Sequence, residues 1–291
     1  MTVRSAAPHP VKTIGRAVSI RVGSATADRR QLPSFVLVGA QRAGTTSLFR
    51  ALVSHPLVHG ANYHKGVNYF DVNHHRGPAW YQGHFPTTGH LQRRARAHGV
   101  EGDPVTFEAS GYYMFHPRAA ARMAQHLPDV RIVAMLRDPV ERAYSAWKHE
   151  HARGFEWASF QAALDLEDNR LEGEVERMTT YPGYQSTHHR HHAYVRRGQY
   201  HEQLLRLREH FPAEHIHVVE SESFFTDPEP TYRALLDFLG LPPVMPERFD
   251  RWNGRPSAPM ADETRGRLRE HFAAHDDALA EMLGRRPAWH A

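Results

Sequence analysis

Phe35-Val36-Leu37-Val38-Gly39-Ala40-Gln41-Arg42-Ala43-Gly44-Thr45-Thr46-Ser47-Leu48 is the stretch from which the fold of this chain can be read. Phe35 to Val38 is an apolar run of buried-strand length, and beyond Gly44 the spacing turns helical, with Leu48, Ala51 and Leu52 on one face. A strand, a glycine turn and a helix start make an anion site. The first N–H groups of a helix lack internal partners, and the helix dipole is positive at that end. Gly39 and Gly44 have the gap of a phosphate-binding loop, with Thr45 and Thr46 behind them. The lysine that follows the second glycine in a nucleotide triphosphatase is replaced by Thr45, and the cation lies inside the turn as Arg42. The segment reads as a phosphate cradle, not as an ATPase loop.

Working outward, Val105–Phe107, Arg131–Leu136 and Ile216–Val219 read as further strands. Helical patterns lie near 44–54, 117–126, 157–168, 199–210, 228–239 and 262–283, and one more starts directly after Leu136. Strands separated by helices predict an α/β fold: a P-loop-like, three-layer arrangement with a central parallel sheet flanked by helices. No internal repeat interrupts it. The expected division is a flexible N-terminal extension over 1–32, one domain over 33–285 and a short tail over 286–291.

With 291 residues the chain can bury a substantial core. Its 41% apolar and 23% charged residues are ordinary for a globular protein. A formal charge of +4 suits anionic ligands but is far from the dense basic stripe of a nucleic-acid binder, so no nucleic-acid partner is expected. The absence of cysteine excludes disulfides, thiolate chemistry and Cys-based zinc sites. No stretch approaches the run of about 18 apolar residues that a membrane span needs, and the first 32 residues lack a signal-peptide core. A soluble, cytoplasmic protein is the expectation, and a homo-oligomer is compatible with it.

A second constellation follows the strand Arg131–Leu136. Asp138 is placed as an N-cap, Pro139 at the first helical position and Glu141 at capping-box spacing. Arg137 then stands at the carboxyl end of a parallel strand, where open α/β sheets bind ligands. Ser145 lies two turns along the same helix face, so Arg137 and Ser145 are spaced to hold one phosphate.

Taken together, these segments resemble the sulfotransferases that use 3′-phosphoadenosine 5′-phosphosulfate (PAPS), in particular the branch of the heparan sulfate sulfotransferases. Gln41-Arg42-Ala43-Gly44-Thr45-Thr46, with Ser47 behind it, is similar to that family's 5′-phosphosulfate loop, with Arg42 where a lysine is usual. Leu136-Arg137-Asp138-Pro139 through Ser145 is similar to its 3′-phosphate segment, and Arg197-Gly198-Gln199-Tyr200 to a Gly-x-Tyr element beside the nucleotide. The resemblance runs over about 33–285. It implies PAPS as donor, 3′,5′-adenosine bisphosphate (PAP) as product, no metal, and a small-molecule or glycan acceptor. Its cofactor-binding residues here would be Gln41, Arg42, Ala43, Gly44, Thr45, Thr46, Ser47, Arg137, Ser145, Arg197, Gly198 and Tyr200.

The acceptor half departs from the family. Lys65-Gly66-Val67-Asn68-Tyr69-Phe70-Asp71 aligns with a Lys-Glu-x-His-Phe-Phe-Asp segment, so Gly66 replaces the family's base and Asn68 its histidine. Glu108-Ala109-Ser110-Gly111-Tyr112 also lacks a lysine and a proline of the family pattern. Arg42 and Lys65 are the expected cations on the donor, and Glu108, with His64 as alternative, the expected base. Asp71 matches a family residue and reads as a cap or structural contact. His188 to His192 reads as part of a solvated lid, Tyr181 to Tyr184 as a turn within it, Trp147, Trp157 and Trp252 as packing residues, and Asn253-Gly254-Arg255 as a loop able to close over the nucleotide. The expected activity is sulfuryl transfer to a hydroxyl, less readily an amine, of a carbohydrate, lipid-linked or secondary-metabolite acceptor. Two other readings stay open: a catalytically silent PAPS-binding protein, and a nucleotide-dependent phosphotransferase.

Overall fold

The computed structural model of the chain describes residues 18–181, 183–252 and 259–290. Five parallel strands form one sheet: β1 (Phe35–Gly39), β2 (Val58–Gly60), β3 (Val105–Glu108), β4 (Arg131–Leu136) and β5 (Ile216–Glu220). Their spatial order is β2-β3-β1-β4-β5, so the chain reverses its direction of sheet growth beside β1. Phe35 is in register with Phe107 on one side and with Arg131 on the other. Every residue of β1 is buried, as a strand covered on both faces requires. The rings of Phe35 and Phe107 stack at 4.7 Å, and the core continues through Leu37, Ile132, Leu136, Leu204 and Leu235.

The expected α/β architecture is present. β2 was not foreseen, because three residues reading Val-His-Gly carry no strand pattern. The helix expected over 157–168 is two pieces, Phe160–Asp165 and Glu167–Leu171. The break falls at Leu166, and Glu167, which opens the second piece, accepts the N–H groups of Tyr194, Val195 and Arg196 with its carboxylate. The lid expected around 188–192 is a short helix, Thr187–His191, with His189 buried against Phe115 at 4.2 Å and bonded to the Tyr112 hydroxyl at 2.7 Å. Trp157, expected to pack, is 81% exposed. Pro182 and the Asn253-Gly254-Arg255 loop lie outside the described residues.

Residues 18–25 are helical, and Arg30 and Gln31 bond the carbonyls of Phe85 and Pro104 at 2.5 and 2.8 Å. At the other end, Trp289 and His290 both bond Asp276 Oδ2, at 3.0 and 2.8 Å. No helix among the described residues is long and apolar enough to cross a membrane.

Candidate active site

The carboxyl ends of β1 and β4 set the site. After β1 the chain turns through Arg42, at φ 72°, and Gly44, at φ 93°, into the helix Thr45–Ser54. A left-handed conformation is costly for arginine, of order 1–3 kcal/mol, and persists where the surroundings hold it. Here Ala43 N–H bonds the Ala40 carbonyl at 3.2 Å, and Arg137 Nη1 reaches the Arg42 carbonyl at 3.4 Å. At Gly44 a side chain is also excluded by space: a Cβ would come 2.9 Å from the Phe225 ring.

Lys65 closes the front of the loop. Its Nζ donates to Thr45 Oγ1 at 2.7 Å and lies 3.4 Å from Thr46 Oγ1. Burial lowers its pKa to about 8. Arg42 Nε donates to Ser145 Oγ at 3.1 Å, joining the loop to the helix Pro139–Ala152. Asp138 caps that helix, accepting from Val140 N–H at 2.9 Å, as the sequence predicts. Lys65 is thereby held on Thr45 and Thr46, and Ser145 and Arg137 on Arg42, around one helix N-terminus.

Other candidates act at one remove. Tyr200 donates its hydroxyl to the Arg137 carbonyl at 2.8 Å. Arg197 is buried and committed to the protein: it bonds Gln41 Oε1 and the carbonyls of His189 and Arg190, the latter two at 2.9 Å, under the rings of Tyr112 and Phe115. It positions the loop through Gln41, whose Nε2 lies 3.3 Å from Glu150 Oε1. Gly198 is a packing residue, since a Cβ there would meet Phe272 at 2.7 Å. Ser47 accepts the Trp252 N–H at 2.9 Å rather than facing the loop mouth.

Glu108, the expected base, is buried and held by the protein's own donors. Its side chain is 0% exposed, and both oxygens are occupied. Oε2 accepts from Val67 N–H and Ser110 Oγ, each at 2.7 Å, and Oε1 from the Tyr113 hydroxyl at 2.9 Å. Ser110 in turn accepts from Asn68 N–H, and Tyr113 from Tyr69 and Phe70 N–H. One carboxylate thus fixes four consecutive backbone amides of the segment carrying Lys65 and Asp71. Glu108→Gln replaces an acceptor with an N–H₂ group facing donors, and is expected to lower stability by about 1–3 kcal/mol in denaturant unfolding. Gly66 cannot carry the family's carboxylate on this backbone, because a Cβ would lie 2.6 Å from the Ala109 carbonyl oxygen.

Asp71 differs from Glu108 in its partners. Its Oδ1 accepts from Val72 N–H, while its buried Oδ2 has no partner among the described residues. Burial pushes its pKa up to about 7, the Glu108 charge adding to the rise. A buried carboxylate oxygen without a protein partner calls for a proton, a water or a ligand. His64 is exposed on the approach to Lys65.

Beside Arg137 lies a cavity of about 330 Å³ lined by Glu141, Glu222, Phe225, Arg251 and Trp289 among others. Arg251 sits over the Phe225 ring at 4.6 Å. Glu222 and Phe225, Arg251 and Trp289 reach the Arg137–Glu141 segment from three other parts of the chain, and no sequence signal links them to it. The recess carries two arginines, Arg137 and Arg251, three carboxylates, Asp138, Glu141 and Glu222, and the rings of Phe225 and Trp289.

Comparison with known proteins gives a consistent picture. A model of the sulfotransferase family matches residues 33–246. Human bifunctional heparan sulfate N-deacetylase/N-sulfotransferase 2 is 26% identical over 301 residues, covering 91% of this chain and 31% of that protein. Mouse heparan sulfate glucosamine 3-O-sulfotransferase 3A1 is 27% identical over 262 residues, covering 87% of this chain and 59% of its own length. The chain therefore spans between about a third and three-fifths of these relatives. The crystal structure of a sulfotransferase from Alicyclobacillus acidocaldarius superposes with a TM-score of 0.66 at 28% identity, over 89% of this chain and 99% of that one.

Proposed function

The chain belongs to the sulfotransferase family, and from that premise we propose that it transfers the sulfuryl group of PAPS to a hydroxyl of a carbohydrate acceptor. The observation that carries this reading is the Lys65–Thr45–Thr46 cluster at the helix start, bridged by Arg42 and Ser145 to the Arg137 segment. Two anion-binding elements, 103 residues apart at Arg42 and Ser145, meet as a donor with two separate phosphate-bearing ends requires.

PAPS, when bound, supplies an activated sulfuryl group whose leaving phosphate is a weak base and needs no proton. The protein's task is then electrostatic. The N–H groups of the helix start and the hydroxyls of Thr45 and Thr46 are pre-oriented donors toward anionic oxygen. Lys65 and Arg42 supply positive charge, Arg42 as a planar clamp that keeps its proton. Arg137 and Ser145 are assigned to the 3′-phosphate, with Tyr200 holding the Arg137 backbone. Asp71 is assigned as the group that takes the acceptor's proton, and Glu108 as the anchor of the segment that presents it. No metal enters this scheme, and a cytoplasmic location belongs to the same proposal.

Arg137→Ala is expected to weaken PAP binding by about 1.5–3 kcal/mol, the scale of a charge-assisted hydrogen bond, read by calorimetry. The activity itself is tested by incubating the protein with ³⁵S-labelled PAPS and a panel of hydroxyl- and amine-bearing oligosaccharides. Label in a hydroxyl acceptor is the expected result. Label only in amine acceptors, or in none while PAP binds, would contradict the proposed reaction.

A further inference from the structure

At the sheet edge farthest from β5, a second cavity of about 460 Å³ lies along β2. Its lining includes His55, His59, Asn62, His90, Arg94 and His98, and none of its lining residues is a carboxylate. His90, Arg94 and His98 come from the helix Thr88–His98, which holds three arginines, two histidines and no acid. His59, the central residue of β2, is 8% exposed, and its Nε2 is buried with no hydrogen-bond partner among the described residues. His55 differs: its Nε2 bonds the Pro242 carbonyl at 3.0 Å and its Nδ1 accepts from Leu57 N–H at 3.2 Å. The unfilled hydrogen-bonding capacity of the cavity therefore rests on His59.

We propose that this cavity is a second oxyanion site, separate from the donor loop, that takes a sulfate or phosphate group between His59 and Arg94. Three features converge on that chemistry. A buried imidazole nitrogen without a partner can donate to an anion once protonated. Arginine offers planar, bidentate contact to tetrahedral oxyanions. The absence of a carboxylate in the lining leaves this positive character uncompensated. Burial and then the charges of Arg94, His90 and His98 hold the His59 pKa down at about 4. An anion among these groups reverses that repulsion. Four histidines also suggest a metal, but no histidine of this cavity belongs to a cluster of three potential metal ligands among the described residues.

The ion has two sources, inorganic sulfate or phosphate in solution and a sulfate ester on the acceptor. The second rests on the carbohydrate reading above. Asn62, in the cavity wall, precedes Lys65 by three residues, so a chain seated in the cavity has a short path to the loop.

The test is histidine-ring NMR of the full chain titrated with sodium sulfate against sodium chloride. The His59 signal is identified by its loss in His59→Gln. A saturable, sulfate-specific shift is expected, and exposed Arg94→Gln should weaken its apparent affinity about tenfold or more, the scale of one charged hydrogen bond. No saturable shift, an equal shift with chloride, or an affinity unaltered by Arg94→Gln would overturn the site. So would a response to Zn²⁺ alone. A heparin tetrasaccharide that shifts the His59 signal at lower concentration than sulfate assigns the site to the acceptor. Response to the inorganic ion alone assigns it to free anions. PAP binding is measured separately and should be unchanged in Arg94→Gln, so failure of the donor reading is distinguishable from failure of this site.

Discussion

Lys65→Met lowers the sulfuryl-transfer rate by about 10²–10³-fold, the loss expected when a pre-oriented electrostatic group is removed from a site of charge development. Methionine keeps most of the stem and its packing, so the change is mainly one of charge. Lys65 is not a mobile surface cation. Its ammonium is held on the hydroxyls of Thr45 and Thr46, and burial has already lowered its pKa to about 8. A charge in such surroundings acts more strongly than the same charge in water. Single-turnover kinetics with PAPS, alongside calorimetry with PAP, check the result. The fall should appear in the chemical step, with a smaller loss of PAP affinity. A raised KM with unchanged turnover would reduce Lys65 to a binding contact. The pH dependence follows in sign: Lys65 loses its charge as pH rises through about 8, so kcat/KM should decline there. Bound anionic donor favours the charged form, so the same limb in kcat lies at higher pH.

Asp71→Asn is expected to reduce turnover by about 10²–10⁴-fold, the range of general acid–base contributions. Asp71 is protonated below its folded pKa of about 7 and accepts a proton only above it, so kcat/KM should rise through that pH and lose this limb in the variant. Stability moves the other way. A carboxyl raised from 3.8 to about 7 favours folding while protonated, and that contribution fades as pH rises between the two values. At pH 8 Asp71→Asn should therefore be at least as stable as the parent while far less active. This separates it from Glu108→Gln, which acts through stability. His64→Gln should retain the rising limb; loss of that limb in His64→Gln, with Asp71→Asn active, would move the base to His64.

The loop after β1 and the helix after β4 were legible because their residues lie in short, continuous motifs. Phe35 to Thr46 reads as strand, glycine turn and helix start, and Asp138 with Pro139 marks the next helix. Arg42 and Ser145 each belong to one of these motifs, although their contact spans 103 residues and could not itself be read. The acceptor half depends on contacts between segments. Glu108 at a strand end has the sequence appearance of a base, but its donors come from Val67, Ser110 and Tyr113. Arg197 in an Arg-Gly-x-Tyr motif suggests a nucleotide contact, whereas its partners are Gln41 and two carbonyls. Gly66 looked like a lost side chain, and the nearby Ala109 carbonyl shows that this backbone leaves no room for one. Phe225 and Arg251 belong to no local pattern and meet only because the fold brings both beside Arg137.

The central claim is that the loop and the Arg137 segment bind one nucleotide carrying a 3′-phosphate. Calorimetric titration with PAP, AMP and ATP, each with and without Mg²⁺, tests it most directly. The account predicts that PAP binds most tightly, with the same affinity whether or not Mg²⁺ is present. Preference for ATP with Mg²⁺, or binding of none of the three, would contradict it.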